Sequence, residues 1–533
     1  MKPQIPDVLA QRYASTAMCE LWSATGKIRL EREFWIAVMK AQQAVGVEIS
    51  EAAIEAYEQV KDQIDLERIA ERERVLRHDV KARIEEFCEL AGEQQIHKGL
   101  TSRDLTDNVE QLQILRSLAL LEDKYIAVLY QLARWAERTR DWLLVARTHN
   151  VPAQPTTLGK RLAMFGEEML QALQRLQSLC ANYPLRGLQG AVGTQLDQHI
   201  LLQDPKKVYE LEAVVCQYLG GPAQFQAVGQ VYPRSLDTEV VHCLFGLSSG
   251  ISSLAKTLRL MAGQGLFTEG FQSGQVGSSA MPHKVNARNA ERITGLHQVL
   301  NGYVNMLMGL SGDQWNEGDV ACSVVRRVAL PGAFWAFDGQ LETMLTILQE
   351  MGFYEDLIRR EVDQQLPFLA TTTILMAAVR KGGGREQLHD CIKQHALQVA
   401  EELHSGIRLE NNLLQRLAED PALPLDLREL QLLLTDSERL VGSAPEQVNA
   451  FLKRVARLVF EHPSTQAPRH PKHPGTQGTQ KLEVAITHAL FARNELEQPV
   501  DAPQGTVTEH GAHHCGGQRR PDGKEINPQP KPQ

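Results

Sequence analysis

Residues 240–261, VVHCLFGLSSGISSLAKTLRLM, carry an apolar side chain at every third or fourth position. This spacing predicts one long α-helix with a continuous apolar seam, suited to packing in a bundle or between subunits. Residues 115–135 repeat the pattern. Two long seams in the middle of one chain predict an all-α bundle whose helices exceed ordinary length. The seam positions are Val240, Leu244, Leu247, Ile251, Leu254, Leu258 and Met261 in the first stretch, and Leu115, Leu118, Leu121, Tyr125, Val128, Leu132 and Trp135 in the second.

The composition is that of an ordinary globular chain and argues against several classes of protein. The 533 residues are 43% hydrophobic and 23% charged, with a formal net charge of −9, so no nucleic-acid partner is expected. No apolar run approaches the roughly 20 residues of a membrane span, and the N-terminus has no apolar signal core. The eight cysteines are scattered without a C-x-x-C pair, which indicates reduced thiols and a cytoplasmic location.

Breaks in the helical pattern predict three helical domains followed by a tail. Residues 1–100 carry shorter helices, residues 101–350 the long ones, and residues 351–460 a smaller helical unit. Residues 461–533 are rich in Pro, His, Gln, Thr and Gly, which predicts a disordered tail with one possible helix. Soft-metal ligands also occur in this tail, but they lack a second ligand set, so incidental surface side chains are the favoured interpretation and no metal site is predicted. These ligands are His510, His513, His514 and Cys515.

A loop that precedes a predicted helix start concentrates reactive side chains. Residues 277–286, GSSAMPHKVN, include the hydroxyl of Ser278, the ammonium of Lys284 and the amide of Asn286. A bare Gly-Ser-Ser is usually a plain loop between helices. The longer string resembles the signature of the fumarase/aspartase superfamily, whose members eliminate fumarate from a succinyl group.

Histidine occurs in three further loops together with polar neighbours. The first is Arg77-His78-Asp79, the second runs from His97 to Asn108, and the third runs from Arg147 to Thr157. In the second loop the Ser102 hydroxyl and Asp104 are expected to cap the long helix, whose free N–H groups favour an anion. Any one of these histidines, taken alone, is more simply a capping or core residue. Three such loops beside the Ser278 loop favour a substrate site.

Taken in chain order, these motifs resemble the adenylosuccinate lyase family over about residues 8–460. The resemblance implies an all-α, three-domain fumarase/aspartase-like fold with a central long-helix bundle that forms the core of a homotetramer, with sites shared between subunits. Helix 240–261 is the natural candidate for that core. The resemblance also implies a small nucleotide substrate and no cofactor. The matching strings are Arg12-Tyr13-Ala14-Ser15, Arg77-His78-Asp79-Val80, Thr101-Ser102-x-Asp104, Thr148-His149-x-x-Pro-Ala-Gln-Pro-Thr-Thr157 and Gly277-Ser-Ser-Ala-Met-Pro-His-Lys284.

The same resemblance implies a reaction and a set of site residues. The reaction is elimination of fumarate from adenylosuccinate, giving AMP, and from succinyl-aminoimidazole-carboxamide ribotide (SAICAR), giving AICAR. His149 is the implied general acid for the departing purine nitrogen, and Ser278 the implied base for the succinyl carbon. His97 and Lys284 complete the catalytic group, with His97 and His78 positioning phosphate and carboxylates. The implied substrate-binding residues are Arg12, Tyr13, Arg77, His78, Asp79, Thr101, Ser102, Thr148, Gln230, Asn286, Arg292, Ser323 and Arg327.

The residue types suit that chemistry. Removing a proton beside a carboxylate builds negative charge, which the ammonium of Lys284 can stabilise. An imidazole can protonate the leaving nitrogen, and arginine suits a phosphate because its planar fork bonds two oxygens. A serine is a weak base, so the loop is expected to close over Ser278 and exclude water. Ala287 departs from the family, which usually has proline after the asparagine.

Two other functions remain open from the sequence. One is a sister lyase with another amino-succinate substrate, such as argininosuccinate, against which the arginines and Ser323 argue. The other is a non-catalytic protein that retains the fold.

Overall fold

The computed structural model describes residues 6–270, 280–281, 283–319, 321–435 and 437–461. Helices dominate the described residues, and the strands form three two-stranded sheets. The elements, in chain order, are α1 (Val8–Arg12), α2 (Thr16–Trp22), α3 (Ala24–Ala44), α4 (Glu51–Val60), α5 (Leu66–Leu76), α6 (Asp79–Ala91), α7 (Ser102–Arg138), β1 (Leu143–Thr148), β2 (Val151–Thr157), α8 (Leu158–Asn182), β3 (Pro184–Leu185), α9 (Leu196–Leu202), α10 (Pro205–Leu219), β4 (Ala223–Gln224), α11 (Ser235–Gly263), β5 (Phe267–Thr268), α12 (Arg288–Met308), α13 (Ala321–Glu350), β6 (Gly352–Phe353), α14 (Glu355–Leu369), α15 (Thr371–Arg380), α16 (Arg385–His404), α17 (Leu413–Glu419), α18 (Leu427–Thr435), α19 (Ser437–Leu440) and α20 (Ala444–Glu461).

Five long helices, α7, α8, α11, α12 and α13, form the central bundle. Helix α13 runs parallel to α7, because Glu110 near the start of α7 pairs with Arg326 near the start of α13. Near the other ends of these helices, the indole of Trp135 donates to the carbonyl of Leu348 at 2.8 Å. The two helices therefore lie side by side along most of their length.

Helix α11 also runs parallel to α7, while α8 and α12 run antiparallel to it. The Tyr125 hydroxyl donates to the Leu247 carbonyl at 3.1 Å, which aligns the middles of α7 and α11. The Thr238 hydroxyl, near the start of α11, donates to the carbonyl of Leu307, near the end of α12. Helix α8 starts beside the end of α7, where Gly159 lies against the Ala136 carbonyl. The long-helix prediction is confirmed.

The seam of α11 is buried within a single chain. Its seven predicted positions are each at most 1% exposed, and the helix packs against α8, α12 and α13. The seam side chains are therefore covered by the chain itself and have no surface left for a neighbouring subunit. That helix 240–261 contributes to a tetramer core stays a prediction. An interface built on α11 would have to use its outer face, where Leu260 is 50% exposed.

The helices before and after the bundle have apolar cores of their own. The N-terminal core contains Phe34, Trp35, Tyr57 and Phe87 from α3, α4 and α6, and the start of α7 contributes to it as well. A separate core joins α15 to α18. The last helix, α20, returns to the bundle and packs on α7 and α8. These cores support the three-part division, which stays a prediction.

A β-hairpin stands where the sequence predicted the histidine-bearing loop from Arg147 to Thr157. Strands β1 and β2 pair antiparallel, with Leu143 opposite Thr157 and Thr148 opposite Val151. The prolines at 152 and 155 are compatible with a two-stranded ribbon because each strand has an open edge. Among the described helices, none combines the length and the apolar character that crossing a membrane requires.

Candidate active site

The N-terminal end of α7 carries the first group of predicted site residues. Thr101 is the N-cap residue, and its backbone N–H donates to the Asp104 side chain at 2.7 Å. Ser102 is the first helical residue. The expected capping by Asp104 is confirmed, but the cap position belongs to Thr101 and not to Ser102. Both hydroxyls lie at the positive end of a 37-residue helix, where an anion is stabilised.

A buried arginine that the sequence did not single out ties this helix start to the Gln230 loop. The Arg186 guanidinium bonds the Asp104 carboxylate, the Gly190 carbonyl at 2.7 Å and the Gly229 carbonyl at 3.3 Å. Gln230 follows directly, and its backbone N–H donates to the Glu317 carbonyl at 2.7 Å. Arg186 thus fixes Gln230 near the start of α7.

Ser323 joins the same end of the bundle from the start of α13. Arg103 donates to the Ser323 hydroxyl at 2.9 Å and pairs with Asp107 at 3.0 Å. Arg327 lies one turn further along α13 and is exposed. Thr101, Ser102, Gln230 and Ser323 therefore belong to one neighbourhood, although 222 positions separate the first from the last.

His97 lies just before this helix start and is held by the N-terminal helices. Its Nδ1 accepts a hydrogen bond from the buried indole of Trp35 at 3.1 Å. Its backbone is left-handed, with φ 65°. Burial, followed by the nearby His78 and Lys81, lowers the pKa of His97 to about 4.

The first histidine motif is built around helix caps. His78 is the N-cap residue of α6, where its Nδ1 accepts from the Lys81 N–H at 3.2 Å. Arg77 ends α5 with a left-handed backbone, φ 56°. Asp79 pairs with Arg83 at 3.2 Å. Burial would raise the pKa of Asp79, but Arg83 and the Val80 N–H outweigh it, so the pKa is lowered. Asp79 thus has a structural partner within the N-terminal helices.

Thr148 and His149 lie at the tip of the hairpin that follows the opposite end of α7. Both are exposed, and His149 has a left-handed backbone with φ 53°. Two contacts attach the hairpin to the helices that follow the bundle. Arg147 pairs with Glu361 of α14, and Gln154 donates to Thr372 of α15 at 3.0 Å.

Lys284 and Asn286 precede the start of α12, and Lys284 is exposed. Ser278 lies outside the described residues. Ala287 occupies the cap position of α12 without a capping side chain. The Glu269 carboxylate replaces it, accepting from the Asn289 N–H at 2.9 Å and the Ala290 N–H at 2.7 Å.

Lys284 and Asn286 lie at the same end of the bundle as the hairpin. Glu269 follows strand β5, which pairs with β6. The Phe353 ring of β6 packs edge-on against Trp135, with ring centroids 5.6 Å apart, and Trp135 belongs to the last turn of α7. The start of α12 is therefore near the end of α7.

Tyr13 and Arg292 meet beside the same start of α12. The Arg292 guanidinium lies 5.7 Å from the centre of the Tyr13 ring, and Arg12 is the exposed neighbour of Tyr13. Tyr13 packs against Gly339 in α13. Gly339 is 16 residues after Ser323, which corresponds to about 24 Å along the helix. Within one subunit, the predicted nucleotide-binding residues therefore do not converge.

The structure thus gathers the predicted residues into two sets at opposite ends of the bundle. Sequence reasoning missed Trp35, Arg103, Arg186 and Glu269, which hold these sets in place. Their signal is weak because each is a single residue inside an ordinary-looking helix or loop. The first set is Arg77, His78, Asp79, His97, Thr101, Ser102, Gln230, Ser323 and Arg327, and the second is Thr148, His149, Lys284, Asn286 and Arg292. Arg12 and Tyr13 adjoin the second set through Arg292 but lie further along the bundle, beside Gly339 in the second half of α13.

Comparisons with known proteins cover most of the described residues. A family model described as "Lyase" matches residues 12–302, and one described as "Adenylosuccinate lyase C-terminus" matches residues 367–451. The chain is 31% identical to adenylosuccinate lyase of Schistosoma mansoni, over 83% of this chain and 93% of the relative. It is 32% identical to adenylosuccinate lyase of Saccharomyces cerevisiae, over 84% of this chain and 93% of the relative.

Solved structures agree on the fold. The 3-carboxy-cis,cis-muconate lactonizing enzyme from Pseudomonas putida superimposes with a TM-score of 0.72, covering 85% of this chain and 99% of its own. The sequence identity is 20%. This likeness confirms the predicted all-α, fumarase/aspartase-like fold.

Proposed function

Because the chain belongs to the adenylosuccinate lyase family, we propose that it eliminates fumarate from adenylosuccinate and from SAICAR, giving AMP and AICAR. The chain is an enzyme of the lyase class that breaks a carbon–nitrogen bond. Its place in metabolism is the biosynthesis of purine nucleotides. The free thiols of the seven described cysteines support a reducing, cytoplasmic location.

The proposed elimination needs a base, an acid and a stabiliser of negative charge. Ser278 removes the proton from the succinyl carbon next to a carboxylate, and the electron pair moves on to that carboxylate. Lys284 stabilises this charge more strongly in the transition state than in the bound substrate. As the carbon–nitrogen bond breaks, His149 protonates the nitrogen, which leaves fumarate and the nucleotide as products.

We place each active site between subunits of a homotetramer. The observation that supports this proposal is that the site residues form two sets at opposite ends of a five-helix bundle. His97 belongs to the set at the start of α7, whereas His149 and Lys284 belong to the set beyond its end. A neighbouring subunit that lies antiparallel would bring the start of its α7 to the hairpin of the first.

Exposure of the catalytic groups supports the same arrangement. His149 and Lys284 are both exposed in a single chain, yet a carbanion-like transition state requires a site from which water is excluded. A second subunit would supply that cover. It would also bring the positive start of α7 towards the carboxylates of the substrate.

The activity is tested by following fumarate release from purified protein. We expect turnover of adenylosuccinate and SAICAR but not of argininosuccinate. The Ser278→Ala variant should bind substrate yet lose at least about 100-fold in kcat. Substantial turnover by this variant would contradict the role of Ser278. A wild-type chain that bound AMP but released no fumarate would instead support a non-catalytic protein.

A further inference from the structure

His97 of the proposed site has a hydrogen-bond partner that determines which ring nitrogen carries the hydrogen. The indole Nε1 of Trp35 lies 3.1 Å from Nδ1 of His97, and the two ring planes are inclined at 77°. An indole N–H can only donate, so Nδ1 of His97 must accept. A neutral imidazole that accepts at Nδ1 carries its hydrogen on Nε2.

We infer that Trp35 is a positioning residue that holds His97 as the neutral Nε2–H tautomer, an uncharged hydrogen-bond donor to an anionic oxygen of the substrate. This inference rests on the proposed function, since it assigns the substrate oxygen as the acceptor. His97 then orients the substrate through a hydrogen bond without adding charge. The positive charge of the site comes from lysine, arginine and the start of α7.

Several contacts prevent His97 from turning away from Trp35. Trp35 is only 1% exposed in the N-terminal core and packs against Phe87. The loop after His97 is fixed from two sides, because Gln42 donates to the Lys98 carbonyl at 2.9 Å and Gln198 donates to the Gly99 carbonyl at 2.7 Å. The imidazole is thus held by its side chain and by its backbone.

The surroundings oppose a second proton on His97. Protonation at Nδ1 would place two N–H groups against each other at 3.1 Å. Burial, His78 and Lys81 also favour the neutral ring, and they lower the pKa of His97 to about 4. His78 and Lys81 are the charged or titratable groups that act on His97, and both belong to α6 or its cap. Lys98, the next residue, directs its ammonium to Gln95.

The tautomer of His78 is fixed in the same way, by a different hydrogen-bond donor. Its Nδ1 accepts from the backbone N–H of Lys81, so its neutral ring also carries the hydrogen on Nε2. The N-terminal helices therefore present two imidazole donors whose orientation is set by the protein.

The test compares the KM of the Trp35→Phe variant with that of the wild type between about pH 4.5 and 8. Without the indole donor, Nδ1 of His97 is free to take up a proton, so the pKa of His97 should rise above its wild-type value of about 4, while burial, His78 and Lys81 still keep it below the ordinary value. The imidazolium attracts the anionic substrate, so the ratio of variant KM to wild-type KM should fall by about fivefold towards acid pH. In this ratio, the pH dependence of KM that comes from groups titrating alike in both proteins cancels. A purely structural defect would raise KM by the same factor at every pH.

Two further variants make the result decisive. Trp22→Phe removes an indole that donates to Ser117 at 2.9 Å, and its KM ratio should stay flat. His97→Gln keeps an uncharged N–H donor without a titratable ring, so its ratio to the wild type should also be flat. A flat ratio for Trp35→Phe, or an acid-side rise for His97→Gln, would overturn the inference. Absence of fumarate release by the wild type would instead refute the proposed function.

Discussion

Thr101 and His149 lie at opposite ends of α7. Thr101 caps the first turn, and His149 is in the hairpin that follows the last one. A helix of 37 residues is about 55 Å long. No substrate the size of a nucleotide can touch both residues of one chain, so the two can act together only across a subunit boundary.

This separation predicts complementation between inactive variants. His97→Ala and His149→Ala should each abolish most activity alone. If the two histidines of a site come from different subunits, mixed oligomers regain sites with both wild-type residues, at about a quarter of wild-type activity for random mixing. The measurement is fumarate release after the two variants are dissociated together and reassembled.

The control for complementation is a mixture that cannot rebuild a site. Reassembling His149→Ala with His149→Gln should restore nothing, because every site lacks the imidazole. If the mixture of His97→Ala and His149→Ala also stayed inactive while forming normal oligomers, both residues would have to act within one subunit, or one of them would not act at all.

The role of His149 predicts a selective loss in kcat. In His149→Gln the exposed hairpin keeps its backbone, because Arg147 and Gln154 hold it to α14 and α15. The acid is lost, so kcat should fall by about 100- to 10,000-fold with little change in KM. His404→Gln, at the end of α16, is the matched control and should leave both constants unchanged. A large rise in KM with normal kcat would make His149 a binding residue.

The sequence predicted the bundle because apolar periodicity is a local property. The α11 seam at Val240 to Met261 is buried at every predicted position. Periodicity alone did not tell which partner covers the seam, since the same pattern serves packing inside a chain and between chains. Only the positions of α8, α12 and α13 show that the chain itself covers it.

The site residues were predicted from strings, but their supporting contacts are tertiary. Arg186 bonds Asp104 and the Gly229 carbonyl across 82 and 43 positions, and no local pattern encodes such distances. The replacement of a capping side chain at Ala287 by Glu269 was invisible for the same reason. The Ser278 role, which rests on a motif, lies outside the described residues and stays a prediction.

A buried ion network predicts a stability loss for Arg326→Met. Arg326 is 2% exposed, and its Nε donates to Asp237 at 2.7 Å while Nη1 pairs with Glu110. Burial would raise the pKa of Glu110, but Arg326 and then Lys27 outweigh it and hold the pKa well below its usual range. Losing the guanidinium leaves Glu110 with Lys27 alone and the buried Asp237 with only the Tyr232 hydroxyl, so unfolding free energy should drop by about 3 kcal/mol.

Urea unfolding at fixed protein concentration measures this loss. The neighbouring Arg327→Met is the control, since Arg327 is exposed and its replacement should change the unfolding free energy by less than about 0.5 kcal/mol. Equal stability of the two variants would show that the network is not needed to hold the start of α13.

The cap on α12 predicts a combined effect on stability and substrate binding. Glu269→Ala removes the acceptor for the N–H groups of Asn289 and Ala290, which should lower the unfolding free energy by about 1–2 kcal/mol. Because Lys284 and Asn286 immediately precede this helix start, KM should rise several-fold. Glu291→Gln, exposed in the first turn of α12, should lower the unfolding free energy by less than about 1 kcal/mol and leave KM unchanged. A change in stability without any change in KM would show that the Glu269 cap does not position Lys284 and Asn286 for substrate binding.

The state of His97 predicts how stability depends on pH. In the folded protein its pKa is about 4, lowered first by burial, whereas in the unfolded chain it is about 6.5. Between these values the unfolded state binds more protons, so acidification through this window favours unfolding. Relative to His97→Gln, the wild type should lose about 2–3 kcal/mol of unfolding free energy from pH 7 to pH 4. His404→Gln should show no such trend. A constant difference between wild type and His97→Gln would mean that His97 titrates alike in both states, and a gain in wild-type stability towards acid pH would mean that its pKa is raised in the folded protein.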